Sequence, residues 1–587
     1  MTRERAEPVQ QLTVRNEEIA RAFDEVADIL ELEEENPFRI RAYRNAARTL
    51  RSLGEEVAEM IARGGDPDDL PGIGKDLAAQ IKEMTSSGHL ARLDRLRPEV
   101  PALALELCHV PGIGPRRAMD LCLGLKPRPQ ALADVLAACR EGRVRILPGF
   151  GMISEQSLAE RLKASMGGEK RFKLADVEPV AQALLAYLRG DPAVEAVELA
   201  GSYRRKKETI GDLDVVAASN APEQVTGRFL SMREVAQVLA TGRTKTSIIL
   251  TGGVQVDLRI VPAESFGAAL LYFTGSKAHN IELRRMAQQR GMKINEYGVF
   301  AGKEPVPATT EEAIYRTFGL AYIEPELREN SGEIEAAAQG RLPDLVRLAD
   351  IKGDLHAHTS ASDGMNDLRE MALAARAQGL DYMAITDHSR RLTVAHGLTP
   401  DQLLQQIDAI DRFNAENAGF TILKGVEVDI LSDGKLDLPD DALRRLDIVV
   451  AAIHSDFGLT RAKQTDRILR ALDNKYVAVL AHPTGRLLLE REPCDIDMGR
   501  ILRAARARGC FLEINAQPDR LDLSDAHCRM AKEEGVRLSL GSDAHRAGDF
   551  ANLAFGINQA RRGWLEATDI INTQPVSELK ALLASAR

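Results

Sequence analysis

Paired acidic residues near the middle of the chain are the side chains best suited to chemistry. Asp212 and Asp214 flank one apolar residue, so on a β-strand both carboxylates point to the same face. A third acid, Asp257, stands within another strand-like run, 254–261. Three carboxylates on one face repel each other unless cations lie among them, and Mg²⁺ binds a few carboxylates together with substrate phosphates. Two such ions about 3.5–4 Å apart can hold both oxygens of an in-line phosphoryl displacement. The spacing therefore predicts nucleotidyl transfer.

A Gly-Ser pair and two arginines stand just before these acids, within residues 201–216. An Asp-x-Asp motif alone is more often a solvated strand edge than a catalytic site, but the Gly-Ser element and the third acid together favour catalysis. This stretch resembles the nucleotidyltransferase superfamily. Two later runs, Leu-Tyr-Phe-Thr-Gly-Ser at 271–276 and Ile-Asn-Glu-Tyr at 294–297, narrow the resemblance to the family X DNA polymerases.

The resemblance implies how a deoxynucleoside triphosphate would be bound. Asp212 and Asp214 would bind both Mg²⁺ or Mn²⁺ ions, and Asp257 would bind the ion that activates the primer hydroxyl. Ser202 and Arg205 would hold the triphosphate. The family often has a basic residue two positions before the third acid, and this chain has a glutamine there.

The resemblance also implies the surroundings of the nucleotide. Tyr272 and Phe273 would lie against its sugar, and Asn280 near its base. The further nucleotide-binding positions are Gly201, Gly211 and Gly275.

Pro-Gly-Ile-Gly occurs twice, at 71–74 and 111–114. Each copy would join two helices through a hairpin whose glycines tolerate positive φ, and the amides that begin the second helix would meet a phosphate. One copy could be only a tight turn, but two favour DNA binding, and the pattern is similar to the helix-hairpin-helix, which binds the DNA backbone. Leu-Pro-Gly-Phe-Gly at 147–151 is a weaker third copy. The predicted DNA-binding residues are Gly72, Gly74, Gly112 and Gly114.

The small N-terminal domain of family X polymerases can carry a lyase that attacks an abasic sugar through a Schiff-base lysine. The position expected for that lysine holds Gln80, while Lys75 and Lys82 are offset from it. The resemblance therefore leaves lyase activity open.

Eight of the eleven histidines lie after residue 350, where short apolar strands end on His, Asp or Glu. Helical patterns lie between them, for example at 366–378, 400–415 and 498–508, and this alternation predicts a (β/α) barrel. One histidine on an apolar strand is more often a core residue, but nine potential ligands, nearly all at strand ends, favour a centre of two or three Mn²⁺, Zn²⁺ or Fe ions. The predicted ligands are His356, His358, Asp363, His388, Glu427, His454, His482, Asp543 and His545.

These motifs resemble the PHP (polymerase and histidinol phosphatase) domain. Asp429 is expected to support the cluster or the fold, and His396 and His527 match no ligand position. The order of family X polymerase followed by PHP domain covers essentially the whole chain. It implies filling of short gaps in gapped or nicked DNA and a metal-dependent 3′→5′ exonuclease or phosphoesterase, a combination suited to base excision repair.

The sequence thus predicts a multidomain protein of α+β and α/β class. Helical helix-hairpin-helix domains would come first, followed by a nucleotidyltransferase palm with a thumb, and a C-terminal (β/α) barrel-like PHP domain. The predicted parts are a small helical domain at 1–100, a fingers-like helical domain at 101–169, the palm at 170–265, the thumb at 266–325, a linker or docking helix at 326–345 and the PHP domain at 346–587.

Bulk composition sets limits on the other classes of protein. The chain has 587 residues and a net charge of −10. Because nucleic-acid-binding domains are typically basic, any DNA contact must come from a local basic patch or from backbone amides. Its six cysteines form no Cys-x-x-Cys pair, its first eight residues lack the apolar core expected of a signal peptide, and no run approaches the length of a membrane-spanning helix. These features predict a cytoplasmic protein that does not bind a membrane.

Two alternatives remain open. One is an RNA nucleotidyltransferase fused to a small-molecule phosphatase, because that class shares the Gly-Ser and Asp-x-Asp elements. The other is a non-catalytic scaffold that binds DNA ends. The Tyr-Phe-Thr-Gly-Ser run, the paired hairpins and the full sets of acids and histidines favour the bifunctional DNA enzyme.

Overall fold

The computed structural model describes residues 14–585 except 15, 34, 54–55, 71, 109, 111–112, 167–169 and 307. The chain forms two compact units, within residues 1–170 and 171–587. The described part of the first unit is helical. Its helices are α1 (Asn16–Leu32), α2 (Pro37–Ser52), α3 (Val57–Ala62), α4 (Lys75–Ser87), α5 (Ala91–Leu96), α6 (Ala102–Cys108), α7 (Pro115–Gly124), α8 (Leu132–Arg140) and α9 (Met152–Met166).

Helix α1 shows why this unit folds. Its apolar residues recur three and four positions apart, so Ile19, Phe23 and Leu30 are buried on one stripe. Tyr43 of α2 packs edge-on against Phe23 with ring centroids 5.4 Å apart. The side chain of Asn36 accepts a hydrogen bond from the first turn of α2 and fixes where that helix begins.

The second unit begins with a mixed sheet whose strand order is β2-β4-β7-β6-β5. Strands β4 and β7 are parallel, and the other neighbours are antiparallel. Leu213, Val215 and Ala217 of β4 belong to the apolar core on one face of the sheet. Asp212 and Asp214 alternate with them along the strand and therefore point to the other face. The elements of this region are β1 (Phe172–Lys173), α10 (Leu174–Arg189), β2 (Ala196–Leu199), α11 (Gly201–Arg204), β3 (Thr209–Ile210), β4 (Asp212–Ala218), α12 (Pro222–Leu230), β5 (Val235–Thr241), β6 (Lys245–Leu250) and β7 (Gln255–Val261).

A smaller region follows, with a three-stranded antiparallel sheet of order β10-β9-β8. Within 326–345, Ile334, Ala337 and Leu345 are buried in the apolar cluster of this region, and Trp564 from much later in the chain completes that cluster. The elements are α13 (Phe266–Thr274), α14 (Lys277–Gln289), β8 (Met292–Asn295), β9 (Gly298–Ala301), β10 (Glu304–Val306), α15 (Glu311–Thr317) and α16 (Glu333–Ala338).

Seven parallel strands, in sequence order from β11 to β17, form a nearly closed barrel in the C-terminal region. The amide of His358 donates to the carbonyl of Ala544 over 2.8 Å, and the amide of Asp543 donates to the carbonyl of His356 over 2.9 Å, so the chain beyond the last strand lies beside that beyond the first. The strands are β11 (Gly353–Asp354), β12 (Tyr382–Ile385), β13 (Thr421–Asp429), β14 (Ile448–Ala452), β15 (Val479–Leu480), β16 (Phe511–Asn515) and β17 (Leu538–Gly541).

Helices lie between and after these strands. Phe555, in the helix that spans Leu553–Arg562, packs against the apolar core of the β2-β4-β7-β6-β5 sheet. The helices are α17 (Leu368–Ala377), α18 (Pro400–Glu416), α19 (Asp440–Leu443), α20 (Arg461–Leu472), α21 (Met498–Arg508), α22 (Asp525–Glu533), α23 (Leu553–Arg562) and α24 (Val576–Ser585). None of the helices built from the described residues combines the length and apolar character needed to cross a bilayer.

Candidate active sites

Three carboxylates meet on one face of the β2-β4-β7-β6-β5 sheet. The parallel register of β4 and β7 places Asp214 beside Asp257. Asp212 lies two residues earlier on β4 and faces the same side as Asp214. One oxygen of each side chain lies within 4.8 Å of the others. The structure thus brings together the three acids selected from the sequence, and their roles as metal ligands stay a prediction.

This acidic face carries strong mutual repulsion. Burial, and after it repulsion from Asp212 and Asp257, raises the pKa of Asp214 to about 7. A divalent cation among the three oxygens would relieve that repulsion, and carboxylate oxygens are donors that Mg²⁺ and Mn²⁺ prefer. The donor set therefore fits the expected ions.

Asp257 has a cationic partner on the neighbouring strand. Nζ of Lys245 on β6 lies 2.6 Å from Oδ2 of Asp257, and Nε2 of Gln255 donates to Oδ1 over 3.1 Å. Burial alone would raise the pKa of Asp257, but the hydrogen bond from Lys245 brings it below its ordinary value. Lys245 therefore supplies the positive charge beside the third acid, Asp257. The residue two positions before Asp257 is the uncharged Gln255.

The 201–211 segment, which contains α11 and β3, packs against the acids. Gly201 has a φ of +61°, and a Cβ there would collide with Oδ2 of Asp214, so this approach needs glycine. The amide of Ala200 donates to the carbonyl of Asp214 over 2.8 Å. Ser202 follows within α11, close to the acids along the chain.

Arg205 and Gly211 lie further along the same segment. Nε of Arg205 donates to Glu329 over 2.9 Å and Nη1 donates to the carbonyl of Thr274 over 2.8 Å, leaving 13% of the side chain exposed. Binding of a triphosphate by Arg205 would therefore require exchange of these protein partners. Gly211 ends the segment, directly before Asp212.

Tyr272 and Phe273 form the last turn of α13, with their rings edge-to-face at 5.1 Å. Asn280 is buried, and its Nδ2 donates to the carbonyls of Tyr272 over 2.6 Å and Gly275 over 3.1 Å. A Cβ at Gly275 would come within 2.8 Å of Oδ1 of Asn280. Asn280 thus fixes the turn after α13, and contacts of these residues with a sugar or base stay predictions.

The predicted hairpins lie in the first unit. Gly72 has a φ of +78°, Gly74 caps the start of α4 and Gly114 caps the start of α7. A Cβ at Gly74 or Gly114 would meet no atom within 4 Å, which leaves space beside the backbone. Gly112 lies outside the described residues.

The weaker third copy repeats the positive φ of the first copy at its first glycine. Gly149 has a φ of +80°, close to that of Gly72, and α9 begins directly after Gly151. A Cβ at Gly149 or Gly151 would also meet no atom within 4 Å. The local conformation therefore supports a hairpin at 147–151.

Gln80 lies on α4 and is held by its neighbours. The hydroxyl of Tyr43 donates to Oε1 of Gln80 over 2.9 Å. The nearby Lys82 pairs with Asp66 at 2.8 Å. Lyase activity stays open.

The candidate ligands of the C-terminal region converge around Glu427 on β13. Its Oε1 lies 2.8 Å from Nε2 of His482 and 3.1 Å from Nε2 of His454. Its Oε2 lies 2.9 Å from Nδ1 of His388 and 3.4 Å from Nε2 of His356. The carboxylate of Glu427 thus faces four candidate ligands, each of which lies just after a different strand of the barrel.

Two aspartates complete the cluster. Oδ1 of Asp543 lies 3.2 Å from Nε2 of His358, and Oδ2 of Asp363 lies 3.4 Å from Nε2 of His545. Three groups have donor atoms within 4.8 Å of one another: His358, Asp363, His388 and His545; His356, His358 and Asp543; and His388, Glu427 and His454.

The chemistry of these donors fits several divalent ions. Nδ1 of His358 and Nδ1 of His482 are buried without a hydrogen-bond partner. A buried polar group left in that state costs about 1–3 kcal/mol. Imidazole and carboxylate together form a donor set suited to Mn²⁺ and Zn²⁺, so ions would satisfy these nitrogens.

Further acids hold the histidines in place. Oε1 of Glu513 lies 2.6 Å from Nδ1 of His356, and Oδ1 of Asp429 lies 3.0 Å from Nδ1 of His454. Because Nδ1 is engaged, Nε2 of each ring faces the cluster. Glu513 is a functional candidate that the sequence does not single out, although its place on β16 follows the strand pattern of the ligands. His396 and His527 belong to none of the donor groups found among the described residues.

Family models match four parts of the chain. They are a helix-hairpin-helix domain at 14–90, a SAM-like helix-hairpin-helix tandem at 104–164, the DNA polymerase beta thumb at 269–329 and the PHP domain at 354–517. The tandem spans both the second and the third hairpin. These matches confirm the predicted fold class.

The chain is similar to whole proteins as well. It is 38% identical to "DNA polymerase/3'-5' exonuclease PolX" of Bacillus subtilis, over 97% of this chain and 99% of that protein. Its C-terminal region is 30% identical to a probable phosphatase of a Thermoanaerobacter species, over 39% of this chain and 93% of that protein. It is 26% identical to DNA polymerase lambda of Rattus norvegicus, over 54% of this chain and 56% of that protein.

The fold and these similarities together define a family X polymerase joined to a PHP domain. Hairpin and thumb modules of this kind bind DNA, and enzymes of both classes depend on metals. The chain belongs to the family X DNA polymerases that carry a PHP domain, and it is a homologue of a DNA polymerase/3'-5' exonuclease. The sequence-based identification of the family is therefore confirmed.

Proposed function

We propose that the protein adds deoxynucleotides to the 3′ hydroxyl of gapped or nicked DNA at the carboxylate cluster, and hydrolyses phosphoesters at DNA 3′ ends at the barrel cluster. The observation that carries the first activity is the register of β4 and β7, which sets Asp214 beside Asp257 with Asp212 on the same face. The convergence of histidines on Glu427 supports the second.

The proposed cofactors are Mg²⁺ or Mn²⁺ at the carboxylate cluster and two or three Mn²⁺ or Zn²⁺ ions at the barrel cluster. When bound, such ions supply Lewis-acid stabilisation of the charge that builds on a phosphoryl group. Asp212, Asp214 and Asp257 would hold them in the first site. The proposed ligands of the second are His356, His358, Asp363, His388, Glu427, His454, His482, Asp543 and His545.

In the first site the protein's own groups position the reactants. Gly201 lets the backbone of the 201–211 segment approach Asp214, and Ser202 is the next residue along the chain. Lys245 keeps the carboxylate of Asp257 ionised and oriented. Tyr272 and Phe273, at the end of α13, would lie against the sugar of the nucleotide, and binding energy used for such alignment lowers the barrier to in-line attack.

In the second site the supporting acids fix the rings. Glu513 accepts a hydrogen bond at Oε2 from the amide of His482 over 2.8 Å while Oε1 holds His356, so one side chain orders two ligands. A phosphoester drawn to this end of the barrel would meet a rigid site. The proposed role is removal or trimming of 3′ ends before gap filling, as in base excision repair, and the cytoplasmic location stays a prediction.

A primer-extension assay on DNA with a one-nucleotide gap tests the polymerase proposal. The Asp214→Asn variant keeps the side-chain shape but removes the charge, so we expect nucleotide addition to fall at least about a hundredfold. Glu198→Gln is the matched control, because Glu198 is a half-exposed acid on β2 of the same sheet that pairs with Arg189.

Addition that Asp214→Asn leaves unchanged would contradict the carboxylate site. Preference for ribonucleotides over deoxynucleotides in the wild-type protein would favour the RNA nucleotidyltransferase instead.

A further inference from the structure

Two arginines of the PHP region form hydrogen bonds and ion pairs with the 201–211 segment of the proposed polymerase site. We propose that Arg486 and Arg562 are positioning residues for nucleotide addition, because they fix the segment that carries Ser202 and Arg205. This inference rests on the proposed polymerase function and assigns part of it to the other half of the chain.

The first contact is at Glu208. Nη1 of Arg486 donates to Oε1 of Glu208 over 3.1 Å and Nη2 donates to Oε2 over 2.7 Å. Nε2 of Gln559 also donates to Oε2, over 2.6 Å. A bidentate guanidinium–carboxylate pair fixes both distance and orientation, and only 11% of the Arg486 side chain is exposed.

Arg486 is itself held rigidly in the barrel. Its Nε donates to the carbonyl of Arg520 over 3.0 Å, and its Nη2 donates to the carbonyl of Leu521. The turn before it is fixed because Oδ2 of Asp522 accepts from the amide and hydroxyl of Thr484, both over 2.9 Å. Since Arg486 has this support, it can determine where Glu208 lies.

The second contact holds Arg205 from two sides. Nη1 of the buried Arg562 donates to the carbonyl of Arg205 over 2.9 Å and lies 3.3 Å from Oε1 of Glu329. The same oxygen accepts from Nε of Arg205 over 2.9 Å. Nη2 of Arg562 donates to Asp525, which anchors the guanidinium in the PHP region.

These contacts lie close to the acids along the chain. Glu208 stands four residues before Asp212, and only β3 and Gly211 lie between them. At its other end the segment touches Asp214 through Gly201. A shift of Glu208 would therefore move the groups expected to meet the triphosphate, and displacements of about 1 Å at such sites cost up to about a hundredfold in rate.

Steady-state kinetics of the full-length protein on gapped DNA, with varied dNTP concentration, tests this role. We expect Arg486→Gln and Glu208→Gln each to raise the KM for dNTP about tenfold. The double variant should be no worse than the worse single variant, because both remove one interaction. Arg500→Gln is the control, since Arg500 forms an exposed pair with Asp466 on the same half of the chain and should leave KM unchanged.

Each result decides between the explanations. If the wild-type protein adds no nucleotide, the polymerase proposal itself has failed. If it does add nucleotide, an unchanged KM in both folded single variants overturns the positioning role, as do effects that multiply in the double variant. A lower melting temperature with normal KM also overturns it and leaves only domain packing. Should Arg486→Gln not fold, Glu208→Gln and Arg562→Lys carry the same test.

Discussion

Lys245 places a positive charge beside Asp257 from a neighbouring strand. Family X polymerases often carry the positive charge two residues before the third acid, on the same strand. Here Gln255 occupies that position, and Lys245 reaches Asp257 from β6. A cation thus lies beside the third acid in this chain, and it comes from the neighbouring strand.

Replacement of Lys245 tests the role of this charge. We expect Lys245→Met to lower kcat for gap filling about tenfold with little change in the KM for dNTP, because groups that orient metal ligands typically cost ten- to a hundredfold when removed. Single-turnover addition on gapped DNA measures the step. Lys245→Arg keeps the cation and should retain most of the rate, and equal rates for wild type and Lys245→Met would refute the role.

Lys245 also marks a limit of prediction from sequence. The spacing of Asp212 and Asp214 is enough to place both on one strand face, because side chains alternate along a strand. The partner of Asp257 depends on the β6–β7 register, which sets Ser247 opposite Asp257. Register depends on packing across the whole sheet, so no local pattern around Lys245 reveals it.

At the scale of elements, the first and third hairpins of the first unit share a positive φ that favours glycine. Gly72 and Gly149 have φ values of +78° and +80° at equivalent positions. The repeated Pro-Gly-x-Gly spacing is a strong local signal, because positive φ is nearly reserved for glycine. Hairpins can therefore be predicted from sequence, in contrast to strand register.

A glycine substitution tests whether the third hairpin contacts DNA. We expect Gly149→Ala to weaken binding of gapped DNA several-fold, because alanine in the left-handed region costs about 1–2 kcal/mol and the turn will relax. Gly88→Ala is the matched control, since Gly88 ends α4 with a φ of +74° and has equally open surroundings. Fluorescence anisotropy and thermal melting measure both variants. Equal loss of stability with equal affinity would exclude a role for this hairpin.

At the scale of the whole molecule, the two sites should be separable in chemistry although their domains touch. We expect His356→Ala to abolish Mn²⁺-dependent 3′-end hydrolysis, because it removes a proposed ligand and leaves Glu513 without its imidazole partner. Nucleotide addition should stay within about twofold, since surface contacts elsewhere are unchanged. Parallel nuclease and primer-extension assays measure both activities.

His396→Ala is the control for that experiment, because His396 is exposed and lies outside the donor groups. Loss of both activities in His356→Ala would show that the ordered barrel cluster is required for polymerisation as well. Loss of hydrolysis in His396→Ala would show that the choice of ligands is incomplete.

Contacts between the halves were beyond the reach of sequence. Glu208 and Arg486 are 278 residues apart, and the sequence around each gives no sign that it has a distant partner. The strand-end histidines could be predicted together because a parallel barrel brings every strand end to one rim. No comparable rule states which surface of that barrel meets the polymerase region, so such a pair emerges only from the folded chain.

Helix α23 has a consequence for how this protein can be divided. Its Phe555 packs against the core beneath the carboxylate sheet, and Trp564 just after it completes the core that also buries Ile334. A hybrid protein with its polymerase half from one relative and its PHP half from another would change the packing around both Phe555 and Trp564. We therefore expect such a hybrid to be less stable than either parent unless residues 553–565 come from the same relative as the polymerase half.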